Sequence, residues 1–172
     1  MTPPAPHSPQ PSPVAENLPP ESDTHVLIVD DNLQNLELLQ AYLEATDSSI
    51  ALARDGMEAL AEVEKRQPDL ILLDVMMPKM SGYQVCSKLK ADPATRDIPI
   101  IMVTALNEIS DVERAIVDSG ADDFLTKPVN KLELITRVRS LMRVRLLKKQ
   151  LDRTLEQVRR LQSRGGSSGS GE

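Results

Sequence analysis

Three short runs, VLIV (26–29), LILL (70–73) and IIMV (100–103), are apolar without a break and rich in β-branched residues. A strand that meets water on one face alternates apolar with polar residues. An unbroken apolar run of this length fits a strand covered on both faces, as in a parallel sheet flanked by helices. The spacing predicts five strands: His25–Val29, Ile50–Arg54, Leu70–Asp74, Pro99–Val103 and Asp123–Thr126. Between them lie apolar residues at helical intervals: Leu36, Leu39 and Leu43; Ala59, Leu60 and Val63; Val85 and Leu89; Val112 and Ile116. Gly56, Gly82 and Gly120 punctuate these segments. Repeated strand–helix units with right-handed crossovers give a doubly wound α/β sandwich. Ligands of such folds sit at the carboxyl ends of the strands.

The ends of the chain differ in composition. Residues 1–24 hold eight of the 13 prolines, which fix φ and remove donors, so this stretch reads as a disordered arm. It lacks the basic start and apolar core of a signal peptide. Residues 164–172 end in GGSSGSGE, a flexible linker composition. The longest apolar runs are too short to span a bilayer. One cysteine, Cys86, excludes an internal disulfide and a Cys-based zinc site, and its setting in YQVCSKL is that of a packing residue. His7 and His25 have no partner at catalytic spacing. The three aromatics, Tyr42, Tyr83 and Phe124, cannot make a base-stacking platform.

Charge divides the chain a second time. From Lys131 to Arg164 eleven basic residues face three acidic ones, +8, which leaves −14 on the remainder of a chain whose net charge is −6. The same stretch carries a helical pattern from Asn130 to Ser163 without Pro or Gly, on the order of 50 Å long at 1.5 Å per residue. Leu134, Val138 and Leu141 can pack on the sheet. Beyond them Val144, Leu147, Leu151, Thr154, Val158 and Leu161 follow heptad steps, a stripe that needs a partner helix. The divisions expected are therefore an arm (1–24), a domain (25–143), a basic amphipathic helical extension (144–163) and a Gly/Ser tail (164–172). Self-association through the extension is the expectation, with an acidic partner as the alternative. No helix-turn-helix is recognisable, which ranks nucleic acid low.

Acidic residues end two of the strands expected at the sheet's centre. Asp30 and Asp31 follow the first and Asp74 closes the third. Capping of the next helix or a turn would explain each one singly. Together at one sheet edge they repel, and raise one another's pKa unless a cation sits among them. Hard oxygens suit Mg²⁺. Thr104 closes the fourth strand and Lys127 the fifth. A carboxylate nucleophile with a metal, a lysine and a hydroxyl around it is a phosphoryl-handling set.

VLIVDDN, LILLDVMMPKMSG, IPIIMVTA and GADDFLTKP, in this order, resemble the receiver domain of two-component response regulators over about residues 25–145. The resemblance implies a flavodoxin-like five-stranded sheet of order 2-1-3-4-5 and a cis peptide at Lys127–Pro128. It implies Asp74 as the phosphoacceptor, and Mg²⁺ held by Asp30, Asp31, Asp74 and the Met76 carbonyl. Thr104 and Lys127 would contact the phosphoryl group, and Thr104 with Phe124 would switch position. The donor would be a sensor histidine kinase or a histidine phosphotransfer protein, in the cytoplasm, and the chain would catalyse only its own phosphorylation and dephosphorylation. Bulky apolar residues at Met76 and Leu106, which flank the phosphoryl group in the family, predict slow self-dephosphorylation.

Three rival readings remain open. The stretch GYQVCSKLKADPATRDIP and the tail VRSLMRVRLLKKQL are similar to receivers placed before diguanylate cyclase domains, so the chain could be a receiver cut from a larger signalling protein. An aspartate-nucleophile phosphohydrolase would need an Asp-x-Asp after the first strand, and Asp30-Asp31-Asn32 lacks it. A scaffold without chemistry has no reason to gather three repelling carboxylates.

Overall fold

The structure, a computed structural model, describes residues 24–105, 113 and 117–165. The proline-rich arm up to residue 23, Leu106, Val112, Ile116 and the tail from residue 166 lie outside the described residues.

Five strands are present: β1 (His25–Val29), β2 (Ser49–Ala53), β3 (Leu70–Asp74), β4 (Ile100–Ala105) and β5 (Asp123–Lys127). They form one parallel sheet of order β2-β1-β3-β4-β5, the order implied by the resemblance. The helices with described bounds are α1 (Leu33–Leu43), α2 (Gly56–Lys65), α3 (Gly82–Ala91) and α4 (Lys131–Gly165), and residues 117–119 are helical as well. The expected strands and the helices that fall on described residues therefore form, with shifted ends. α1 stops at Leu43, where the Thr46 backbone N–H and hydroxyl both bond the Leu43 carbonyl, at 2.8 and 2.7 Å, and turn the chain. β2 begins at Ser49 and ends at Ala53, one residue ahead of the hydrophobic pattern, because its pairing with β1 starts at His25↔Ser49. β4 runs past Val103 through Ala105, which pairs with Lys127, so Thr104 is not the terminal residue of its strand. Asn130 lies just before α4, and its side chain accepts from the Glu133 N–H at 3.0 Å.

Side chains alternate along a strand, so each apolar run feeds two cores. Leu27, Val29, Ile71, Leu73, Ile100 and Met102 pack with Ala59, Val63, Val85 and Leu89 of α2 and α3. Val26, Ile28, Leu70, Leu72 and Ile101 pack with Leu36, Leu39 and Leu43 of α1 and Leu134, Val138 and Met142 of α4. Central strands buried on both faces explain why their sequences do not alternate.

The apolar contact of α4 with the sheet ends near Met142, and charge takes over. Lys148 pairs with Asp97 at 2.6 Å, Arg145 donates to the Asp97 carbonyl at 3.2 Å, and Lys149 pairs with Asp69. Asp69, which directly precedes β3, also accepts the His25 N–H at 2.9 Å. Both acids lie ahead of the strands' amino ends. From Gln150 through Arg164 every side chain is exposed. The exposed apolar residues of α4 beyond Met142 are Val144, Leu147, Leu151, Leu155, Val158 and Leu161. Leu155 thus joins the expected stripe beside Thr154, whose hydroxyl bonds the Gln150 carbonyl at 2.9 Å.

Candidate functional site

In a parallel sheet all strands end at the same edge, and the polar residues singled out above gather there. Asp30 follows β1, Asp74 ends β3, Lys127 ends β5, and Thr104 lies one residue from the end of β4. Asp30 and Asp74 are 1% and 3% exposed, whereas Asp31 lies open to solvent. One carboxylate oxygen from each of Asp30, Asp31 and Asp74 lies within 4.8 Å of the others. Lys127 Nζ stands 3.2 Å from Asp30 Oδ2 and 3.1 Å from Asp74 Oδ1, a bridge between the two buried acids. Lys127 thus sets one positive charge against both buried acids.

Burial pushes the Asp74 carboxyl up to about 6, the Asp30 charge adds to the rise, and Lys127 partly offsets it. Burial, more than mutual repulsion, is thus the leading cause. Burial alone would lower the Lys127 pKa, but Asp74 and Asp30 together hold it above the ordinary lysine range.

Local sequence sets this geometry. Asn32 caps α1, its side chain accepting from the Gln34 and Asn35 N–H groups, while its own N–H donates to Asp30 Oδ1 at 2.9 Å. The loop after Asp74 folds back so closely that a Cβ on Gly82 would lie 2.2 Å from the Asp74 carbonyl oxygen. The Gly82 N–H bonds the Val75 carbonyl at 2.9 Å, and Ser81 with Gln84 forms a capping box. Only glycine permits that approach, so the residue read as punctuation also shapes the loop beside Asp74. The Lys127–Pro128 peptide is cis.

The remaining expected residues are placed as follows. Thr104 is fully buried, and its hydroxyl makes no hydrogen bond among the described residues. Phe124 is half-buried, stands opposite Met102 in the β4–β5 register and packs toward the α2/α3 core. The Met76 side chain is 61% exposed. Asn35 joins the site without a mark in the sequence motifs. Its amide Nδ2 lies 3.3 and 3.1 Å from the two Asp30 oxygens. The signal that could have found it is a polar residue three after a capping asparagine, on the helix face turned toward the strand end. An open groove lined by Asp30, Asn35, Leu38, Tyr42, Lys127 and Pro128 leads to these groups.

The donor set is all oxygen, which suits a hard divalent cation. The unpartnered Thr104 hydroxyl is a buried group that an incoming oxygen would satisfy.

A family model described as "Response regulator receiver domain" matches residues 26–139. The chain is 49% identical over 122 residues to the response regulator PleD of Caulobacter vibrioides, a match covering 71% of this chain and 27% of that one. It is 44% identical over 118 residues to the DNA-binding dual master transcriptional regulator RpaA of Synechocystis, covering 69% and 48%. Among solved structures it is similar to the signal receiver domain of a signal transduction histidine kinase from Syntrophus aciditrophicus, with a TM-score of 0.65 and 40% identity, covering 70% of this chain and 90% of that one. The chain spans between about a quarter and a half of the length of these curated relatives. No helix among the described residues is long and apolar enough to cross a membrane. With the sheet order, the converging acids, the bridging lysine and these matches in agreement, the chain belongs to the response regulator receiver domain family.

Proposed function

We propose that Asp74 accepts a phosphoryl group from a phosphohistidine on a sensor histidine kinase or phosphotransfer protein. The observation that carries this reading is the convergence of Asp30, Asp31 and Asp74 with Lys127 held between the two buried carboxylates. An Asp74 oxygen attacks phosphorus as the P–N bond breaks, and the imidazole leaves with the electron pair. Mg²⁺, held by Asp30, Asp31, Asp74 and the Met76 carbonyl, would neutralise charge on the transferring oxygens. Lys127 turns from Asp74 Oδ1 to the phosphoryl oxygens. Thr104 supplies the hydrogen bond that its buried hydroxyl lacks. The chain then acts on its own carboxylate.

Engagement of Thr104 biases a two-state equilibrium with Phe124, which is half-buried and so still has exposed area to bury. The output is homodimerisation through α4, supported by the exposed stripe from Val144 to Leu161. A receiver serving a further signalling domain is the second reading, favoured by the extension of α4 beyond the sheet.

The test is intact-mass spectrometry after incubation with phosphoramidate and Mg²⁺. The wild type should gain one acid-labile phosphoryl group and Asp74→Asn none. Equal labelling of both would refute the assignment.

A further inference from the structure

We propose that Asn35 is a positioning residue that sets the Mg²⁺ affinity of the site by holding Asp30 when Lys127 lets go. The inference rests on the reading of the acid cluster given above.

Asp30 is ringed by donors. Oδ1 accepts the Asn32 N–H at 2.9 Å and the Asn35 amide at 3.3 Å; Oδ2 accepts Lys127 Nζ at 3.2 Å and the same Asn35 amide at 3.1 Å. A carboxylate offers about four lone-pair sites, so in this state Asp30 is saturated. A divalent cation competes with Lys127 for the face that Asp30 shares with Asp74. Two positive charges cannot share those oxygens, and the lysine, 30% exposed and on a long flexible stem, is the group able to move. Once it moves, the Asn32 N–H and the Asn35 amide are the contacts left on a carboxylate that is 1% exposed. Of these, the Asn35 amide is the one that touches both oxygens, and so the one that fixes the rotation of the carboxylate plane.

Asn35 is suited to this by its position. It is the third residue after the cap of α1, its backbone N–H is already satisfied by the Asn32 side chain at 3.3 Å, and helical side chains point back toward the amino end, here toward Asp30. Its donor is neutral. A lysine or arginine there would repel the cation, and a carboxylate would repel Asp30. Its carbonyl faces away from Asp30, because an amide beside a carboxylate must present its NH₂. Partners behind metal ligands typically change affinity by about 10–100-fold when removed.

The test uses the full chain and Mg²⁺ alone, followed by isothermal titration calorimetry, with urea unfolding in EDTA as the structural control. Asn35→Ala should raise the Mg²⁺ Kd about tenfold, while the urea midpoint in EDTA stays close to wild type. Asn35→Leu keeps the branched shape without the donor and should behave alike. Asp31→Asn and Asp74→Asn should weaken binding further. If the two acid variants weaken binding and neither Asn35 variant does, the inference is overturned and the site reading stands. If Mg²⁺ binding is absent from the wild type or indifferent to all four substitutions, both fall together.

Discussion

Asp74 should destabilise the metal-free protein, and removing its charge should stabilise it. A carboxyl raised from 3.8 to about 6 by burial and by Asp30 costs about 3 kcal/mol when ionised, at 1.36 kcal/mol per pKa unit. An asparagine is already neutral, but it pairs less well with Lys127, so the net gain for Asp74→Asn is about 1–2 kcal/mol at pH 7.5. The direction with pH follows from the raised value. Below 3.8 the carboxyl is protonated in folded and unfolded chains alike, and the penalty is absent. It grows as pH rises from 3.8 to about 6 and is complete above that. At pH 4.5 about one third of it remains. The assay is urea unfolding in EDTA at pH 7.5 and 4.5. With a slope of about 1–3 kcal/mol per molar urea, the variant's midpoint should lie about 1 M above wild type at pH 7.5, and the gap should shrink at pH 4.5. Adding Mg²⁺ should stabilise the wild type more than the variant and narrow the gap at pH 7.5. A variant no more stable than wild type at pH 7.5 in EDTA would refute the reasoning that these acids are held together against their own repulsion and desolvation.

Four further outcomes are expected. Gly82→Ala forces a Cβ to 2.2 Å from the Asp74 carbonyl oxygen and should cost about 1–3 kcal/mol or more in urea unfolding, with phosphorylation slowed; an unchanged midpoint would contradict the close approach. Asp69→Ala strands the buried His25 N–H and should lower stability by about 1–3 kcal/mol, whereas Lys149→Met, which removes one half-exposed ion-pair partner, should cost less than about 1 kcal/mol; equal losses would be inconsistent with the assignment. The His25 imidazole, held below 6.5 by burial and by Arg66, should titrate below that value by NMR, and its own contribution to stability, absent above pH 6.5, should turn unfavourable as pH drops below it, read as the wild type losing stability relative to His25→Gln; a titration above 6.5 would contradict its setting. Light scattering should report a larger mass with phosphoramidate and Mg²⁺ than without, and the double substitution Leu151→Asp and Leu155→Asp should abolish the difference; an unchanged wild-type mass in both states removes the dimer output but not the receiver assignment.

The fold was legible because its strongest signal is local. An unbroken run such as LILL fits a strand covered on both faces, and the cores on each side of the sheet divide its residues alternately. Asp30, Asp31, Asp74 and Lys127 were legible for a related reason: a parallel sheet brings strand ends to one edge whatever the connections between them. Element ends were less legible, because they depend on partners. β2 starts where β1 offers a partner to Ser49, and α1 stops where Thr46 competes for the Leu43 carbonyl. The contact of Asn35 with Asp30 depends on the angle at which α1 leaves the sheet, which no residue pattern encodes alone. The pairing of Lys149 with Asp69 joins residues 80 positions apart, and nothing near either one marks it. Leu155 was passed over because a heptad count selects Thr154, whereas exposure selects both neighbours.

The central claim is that one carboxylate takes up phosphorus at this edge, and trapping the acyl phosphate with hydride tests it most directly. After exposure to phosphoramidate and Mg²⁺, borohydride should reduce the phosphorylated side chain to an alcohol. Peptide mass spectrometry should then find homoserine at position 74, and none when EDTA replaces Mg²⁺. Homoserine at another acid, or an unmodified Asp74 in a chain that has gained phosphoryl mass, would contradict the account.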